Sequence, residues 1–116
     1  MADTTIWHNP SCGNSRGALE LLRERGIEHE VVQYLKAPPS REELARVVAV
    51  LDSPPADLVR KDKRFGELGL DAADYTTADQ VVDLLVEHPE LMQRPVVLQG
   101  GRAVIARPPS TLEGWL

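Results

Sequence analysis

The chain has 116 residues, of which 42% are hydrophobic, and its formal net charge is −5. This length and apolar content predict a single domain spanning residues 1–116, and the negative charge argues against broad electrostatic binding to nucleic acid or to an anionic membrane. Because the sequence has neither a basic-then-apolar leader nor a run of about 18 apolar residues, we expect a cytoplasmic protein without a membrane partner.

The first third of the chain predicts a strand, a helix and a second strand. Residues 4–8 are rich in β-branched and aromatic side chains, and the turn-forming residues 9–15 follow them. Apolar residues then recur at helical spacing as far as Gly26, which favours a helix end. Residues 30–35 form the second predicted strand. A strand, helix and strand at this spacing indicate a βαβ unit with two parallel strands.

The middle of the chain predicts a helical insert over about residues 38–90. Ser40 with Glu43, and Thr77 with Gln80, have the spacing of capping boxes, and each pair precedes an apolar stripe of helical period. Shorter helical turns are predicted at residues 56–60 and 65–70. The insert therefore contains two principal helices with short turns between them.

The last third changes to strand patterning. Residues 95–98 and 103–105 flank a Gly-Gly turn and predict a hairpin. A short helix is expected from Pro108, with Ser110 and Glu113 forming a third capping box. The order β-α-β, helical insert, β-β-α predicts an α/β fold with a four-stranded mixed sheet.

Cys12 is the only cysteine, and it stands between the first predicted strand and its helix. The free backbone N–H groups and the dipole of a helix N-terminus stabilise a thiolate, which lowers the thiol pKa. The same helix end attracts oxyanions. A lone cysteine is also compatible with a small buried hydrophobe, but the loop position favours a reactive nucleophile.

Four polar neighbours are candidates to support that thiolate, and each has a plainer alternative. The Ser15 hydroxyl can donate to the thiolate or can satisfy a backbone amide, and Asn14 has the same two options. His8 favours the thiolate if it is protonated, and is otherwise a structural histidine at a strand end. Arg16 is either part of the site or a solvated helix residue.

Several other kinds of site are not indicated. The one cysteine and three histidines lie on different predicted elements, so no metal site is predicted. There is no glycine-rich phosphate loop, and Ala18 occupies the position where a Cys-x5-Arg phosphatase loop needs arginine.

Five stretches of the chain follow the order of the motifs of one known family. They are residues 8–16, 34–40, 58–61, 87–95 and 107–108. The first, around Cys12, is similar to the signature of the glutaredoxin-dependent arsenate reductases, the ArsC family, and the last three resemble that family's arginine motifs. The resemblance implies a thioredoxin-like fold, in which Pro95 stands where such folds place a cis proline.

The resemblance also implies a function. Cys12 corresponds to the catalytic cysteine, and Arg60, Arg94 and Arg107 to residues that bind the arsenate oxyanion, for which forked arginine donors are well suited. No bound cofactor is implied. With one cysteine, the chain needs an external thiol to resolve a thiolate–arsenate adduct. The resemblance implies glutathione, or another low-molecular-weight thiol, as co-substrate, glutaredoxin as electron donor and arsenite as product.

Two other functions remain open at this level. The spacing Cys12-x-x-Ser15 is shared with monothiol glutaredoxin-like thiol-disulfide enzymes. A redox-sensing branch of the same superfamily binds RNA polymerase, but that branch typically carries a Cys-x-x-Cys pair. Ser15 in place of the second cysteine argues against that regulator, and the three arginine motifs and the helical insert argue against the thiol-disulfide enzyme.

Overall fold

A computed structural model describes residues 3–116 and contains four strands, four α-helices and four short 3-10 helices within that range. The strands are β1 (Thr4–Trp7), β2 (His29–Val32), β3 (Val96–Gln99) and β4 (Arg102–Ile105). The α-helices are α1 (Gly13–Glu24), α2 (Arg41–Val50), α3 (Lys63–Glu67) and α4 (Ala78–Glu87). The 3-10 helices are Pro55–Leu58, Ala72–Asp74, Pro89–Leu91 and Pro109–Glu113.

The four strands form one sheet in the order β2-β1-β3-β4. β1 pairs parallel to β2 and antiparallel to β3, and β3 pairs antiparallel to β4. The predicted four-stranded mixed sheet with a βαβ unit and a C-terminal hairpin is therefore confirmed. The Arg94–Pro95 peptide is cis, as expected, and so is the Arg107–Pro108 peptide, which the sequence did not indicate.

The core has one hydrophobic cluster on each face of the sheet. Successive side chains of a strand point to opposite faces, so Ile6 and Trp7 of β1 belong to different clusters. Ile6 packs with the buried side chains of α1 and with Leu112 near the C-terminus. Trp7 packs with the buried stripes of α2 and α4. The helices thus cover both faces of the sheet.

Local sequence signals set most helix ends. Both predicted capping boxes, Ser40 with Glu43 and Thr77 with Gln80, are present with reciprocal hydrogen bonds. Gly26 has a φ of 64° just beyond α1, where the left-handed conformation favours glycine.

The prediction of a third capping box, formed by Ser110 and Glu113, is wrong. Pro108 is the N-cap of the last 3-10 helix, which has no side-chain cap bond. Pro109 takes the first helical position, which suits its fixed φ, and Ser110 consequently lies inside the turn.

Several element boundaries also differ from expectation; the strand ends other than that of β2 differ by no more than a single residue. β2 ends at Val32 because the Gln33 carbonyl accepts hydrogen bonds from Lys36 and Ala37, which form a turn. The turn expected at residues 56–60 is the 3-10 helix Pro55–Leu58, and α3 starts early because Asp62 caps it.

Within residues 3–116, no helix has the length and apolar character needed to cross a membrane.

Candidate active site

Cys12 is the N-cap residue of α1 and is partly exposed. Its backbone is extended (φ −101°, ψ 125°), its N–H donates to the Asn9 carbonyl at 3.0 Å, and its carbonyl accepts the N–H of Arg16 at 3.0 Å. The Cys12 side chain makes no capping hydrogen bond. The thiol therefore stands where the free amides of the first helical turn point outward, as the sequence predicts.

The surroundings of the thiol favour its ionised form. Partial burial is the largest influence and raises the pKa of the Cys12 thiol. The backbone N–H groups of Ser15 and Asn14 and the Arg94 guanidinium together lower this pKa by more, so that it lies below the ordinary value of 9.0. A lowered pKa increases the thiolate fraction near neutral pH, and the thiolate is the nucleophilic form.

Strand register explains why Arg94 and Arg107 meet at Cys12. Trp7 at the end of β1 pairs with Val96 at the start of β3, which pairs with Ile105 at the end of β4. Arg94 lies two residues before Val96 and Arg107 two residues after Ile105, so both arginines lie at the sheet end from which β1 leads to Cys12.

Arg107 contacts both the thiol and the backbone of Arg94. Its Nη1 lies 3.9 Å from the Cys12 Sγ and donates to the Arg94 carbonyl at 3.3 Å. Arg94 itself lowers the pKa of the Cys12 thiol through its side chain. Two fixed positive charges therefore face the thiol and can balance negative charge on a bound anion.

Arg60 is placed differently. Its backbone N–H donates to the Leu91 carbonyl, next to the bridge between Val59 and Met92, which holds it beside the segment leading to Arg94. Its Nε pairs with Asp62 Oδ2 at 3.3 Å. The structure therefore brings Arg94 and Arg107 to Cys12, while the Arg60 guanidinium is paired with a neighbouring carboxylate.

His8 and Ser15 form a buried pair beside the thiol. His8 Nδ1 and Ser15 Oγ share a hydrogen bond of 2.6 Å, and the same Oγ accepts the Asn9 N–H at 2.9 Å. Burial lowers the pKa of His8, Arg23 and Arg16 lower it further, and the contact with Ser15 only partly opposes them. A lowered pKa favours the neutral imidazole, whereas stabilising the thiolate by charge requires the protonated form.

For Ser15 and Asn14, the backbone and not the side chain supports the thiolate. The Ser15 hydroxyl is bonded to His8 and Asn9, whereas the backbone N–H groups of Ser15 and Asn14 lower the Cys12 pKa. Arg16 donates from Nη1 to the Pro10 carbonyl at 2.9 Å and so braces the loop before Cys12. The Arg16 side chain is exposed, but it makes this hydrogen bond and is not a freely solvated helix residue.

Tyr34 is a further residue at this site. It follows β2, its side chain is fully buried, and its phenol interacts electrostatically with Arg94 and Cys12. Its place in an apolar strand pattern accounts for a tyrosine without any site, so the sequence alone indicates no role for it. The signal available was a hydroxyl in a segment that otherwise predicts burial.

The arrangement brings together a thiol of lowered pKa and two guanidinium groups. A cleft of about 570 Å³ is bordered by Lys61, Gln93 and Arg107, the last of which contacts the thiol. Among residues 3–116, no three His, Cys, Asp or Glu side chains are grouped as metal ligands would be. These groups suit nucleophilic attack on an electrophile that carries negatively charged oxygens.

Comparison with known proteins gives consistent matches over the whole chain. The model of the ArsC family matches residues 7–114. An arsenate reductase of Escherichia coli is 43% identical over 109 residues, covering 93% of this chain and 77% of that protein. One of Neisseria meningitidis (serogroup A) is 42% identical and covers all of both chains. The solved arsenate reductase of Vibrio cholerae superposes with a TM-score of 0.85 at 35% identity, covering 97% of each chain.

Proposed function

The chain belongs to the ArsC family, and from this membership and the site geometry we propose that it reduces arsenate to arsenite through Cys12. The observation that carries the proposal is the Cys12 thiol, with its lowered pKa, at the α1 N-terminus, 3.9 Å from Arg107 Nη1. A nucleophile and an anion site in one place are what a thiol-dependent oxyanion reductase requires.

In the first step, the Cys12 thiolate attacks the arsenic atom of arsenate. A sulfur–arsenic bond forms, an arsenic–oxygen bond breaks, and the leaving oxygen departs as water after protonation. Arg94 and Arg107 balance the charge on the remaining oxygens, since guanidinium groups stay protonated and offer paired donors. Arg60 joins them when its ion pair with Asp62 opens.

The second step needs a thiol from outside the chain, because Cys12 is the only cysteine. We assign this role to glutathione or another low-molecular-weight thiol, which reaches Cys12 through the cleft bordered by Lys61 and Gln93. The external thiolate attacks the Cys12 sulfur, and the sulfur–arsenic electron pair passes to arsenic. Arsenic gains two electrons, arsenite leaves, and the two thiols become a mixed disulfide that glutaredoxin reduces.

A coupled assay tests the function. We expect arsenate-dependent oxidation of the reduced nicotinamide cofactor through glutathione reductase, only when both glutathione and glutaredoxin are present. Cys12→Ser removes the nucleophile and lowers turnover to background, while thermal unfolding shows that the variant is folded. Retained turnover in Cys12→Ser contradicts the proposal, and so does arsenate-independent turnover on a glutathionylated peptide by the unaltered protein.

A further inference from the structure

Tyr34 lies beside the Cys12 loop although it follows a different strand. β2 ends at Val32, whose carbonyl accepts the His8 N–H at 2.8 Å, so the chain just after β2 runs next to the loop that leads to Cys12. The Tyr34 side chain is 0% exposed. Its phenol oxygen has no hydrogen-bond partner among the described residues.

Three groups of the active site act on this phenol. Burial is the largest influence and raises the pKa of Tyr34, so the phenol keeps its proton near neutral pH. Arg94 and the Asn9 side chain lower this pKa, and the Cys12 thiolate raises it. The hydroxyl is therefore close to both the nucleophile and one of the arginines that face it.

Arg94 also has a buried polar atom that lacks a hydrogen-bond partner. Its Nε is buried and has no partner in residues 3–116, although its side chain interacts with the Cys12 thiol. A buried hydroxyl without a partner is unfavourable, and phenylalanine would fill the same volume without that penalty. Two neighbouring polar atoms that lack partners, one able to accept and one able to donate, indicate an arrangement completed only when the site is occupied.

We propose that Tyr34 is a positioning residue that fixes the Arg94 guanidinium when an oxyanion occupies the Cys12 site. The two Nη groups of Arg94 turn to the anion, and its Nε–H donates to the Tyr34 oxygen. Asn9 Oδ1 accepts the Ser11 N–H at 3.0 Å, which holds the Asn9 side chain beside this contact. This proposal rests on the proposed function, in which arsenate is the anion.

Tyr34→Phe tests the proposal, because it removes the hydroxyl and leaves the ring. Arsenate protection of Cys12 from iodoacetamide measures anion binding without turnover. We expect half-protection in Tyr34→Phe to need about tenfold more arsenate, the effect of losing one hydrogen bond that orients a charged group. In the coupled assay the KM for arsenate rises by a similar factor and kcat changes less. The thermal unfolding midpoint stays the same or rises.

Tyr75→Phe is the matched control, since this tyrosine packs edge-on against Phe65 and does not act on the pKa of Cys12. It leaves arsenate protection unchanged. In an Arg94→Ala background, Tyr34→Phe has no further effect on protection, because the group it positions is gone.

Unchanged protection in Tyr34→Phe overturns the proposal, as does a lowered unfolding midpoint with protection lost in proportion. A lack of arsenate protection in the unaltered protein overturns it as well, since no anion then completes the Arg94 contact. Failure of the proposed function looks different: arsenate protects Cys12 and Tyr34→Phe weakens that protection, but no arsenate turnover is seen.

Discussion

Cys12 depends on backbone amides and one guanidinium more than on the polar side chains around it. The Ser15 hydroxyl, which sequence spacing places where a second redox cysteine would stand, bonds to His8 and Asn9. The backbone N–H of the same residue lowers the Cys12 pKa. Support from the backbone is fixed by the geometry of the helix start, so it is present before any substrate arrives.

At the residue scale, Arg94→Ala tests whether Arg94 acts on the Cys12 thiol, which Arg60 does not. Arg94 lowers the Cys12 pKa, so its loss makes the thiolate harder to form and moves the pH profile of iodoacetamide alkylation to higher pH. We expect kcat/KM for arsenate to fall about 10- to 100-fold, as for loss of a charged donor to an oxyanion. Alkylation rates measured against pH, together with the coupled assay, check both effects.

Arg60→Ala is the companion variant. Its guanidinium pairs with Asp62 and does not act on Cys12, so its loss leaves the alkylation profile where it was while arsenate use declines. If the pH profile of alkylation does not move in Arg94→Ala, or moves equally in both variants, then Arg94 is not the arginine that acts on the Cys12 thiol.

At the scale of secondary-structure elements, capping residues at the helix starts are the local sequence signals that determine where helices begin. Ser40 and Thr77 both form complete capping boxes, and each fixes the first turn of a helix whose apolar stripe packs on the sheet. The last turn follows another rule, because proline at its first position already supplies the required φ.

Ser40→Ala and Ser110→Ala form a matched pair for this difference. Ser40 Oγ accepts the Glu43 N–H at 3.1 Å, so its removal lowers the free energy of unfolding by about 1 kcal/mol. Ser110 makes no cap bond, and its removal changes that free energy by less than about 0.5 kcal/mol. Urea unfolding of the two variants measures both values. Equal losses mean that Ser110 acts as a cap after all.

The sequence predicted these elements and the place of Cys12 because the signals are local. Helical period, capping pairs and turn residues act over a few positions, so they identify α2, α4, the hairpin and the helix that begins after Cys12. The end of β2 was misplaced because Tyr34 and Leu35 continue an apolar pattern, while the turn that stops the strand depends on the Gln33 carbonyl.

The finer geometry of the site could not be predicted, because it depends on contacts between distant segments. Arg94 and Arg107 meet only through the register of β1, β3 and β4. The lowered pKa of His8 follows from its burial and from Arg23, neither of which is visible in residues 4–8. Which Ser15 atom faces the thiol depends on where His8 lies, so spacing alone left both options open.

On the scale of the whole molecule, the sheet separates two clusters and gathers the chemistry at one end. Helices cover both faces, and the segments that leave β1, enter β3 and leave β4 converge at one end of the sheet, where Cys12, Arg94 and Arg107 lie. The stability of the fold and the ionisation of Cys12 are therefore linked, since the groups that lower the thiol pKa are held in place only in the folded chain.

This linkage predicts how stability depends on pH. The Cys12 pKa is lowered from 9.0 on folding, so the unfolded chain binds more protons than the folded chain between the folded value and 9.0. The unfolding free energy that Cys12 contributes therefore rises with pH across this window, and is lost as pH falls through the folded value. Cys12→Ser has no such contribution and keeps every other titrating group. We expect the difference in unfolding free energy between the unaltered protein and Cys12→Ser, measured in urea with reductant present, to grow from pH 6 to about pH 9. A constant or shrinking difference means that folding does not stabilise the thiolate, which removes the basis for Cys12 as the nucleophile.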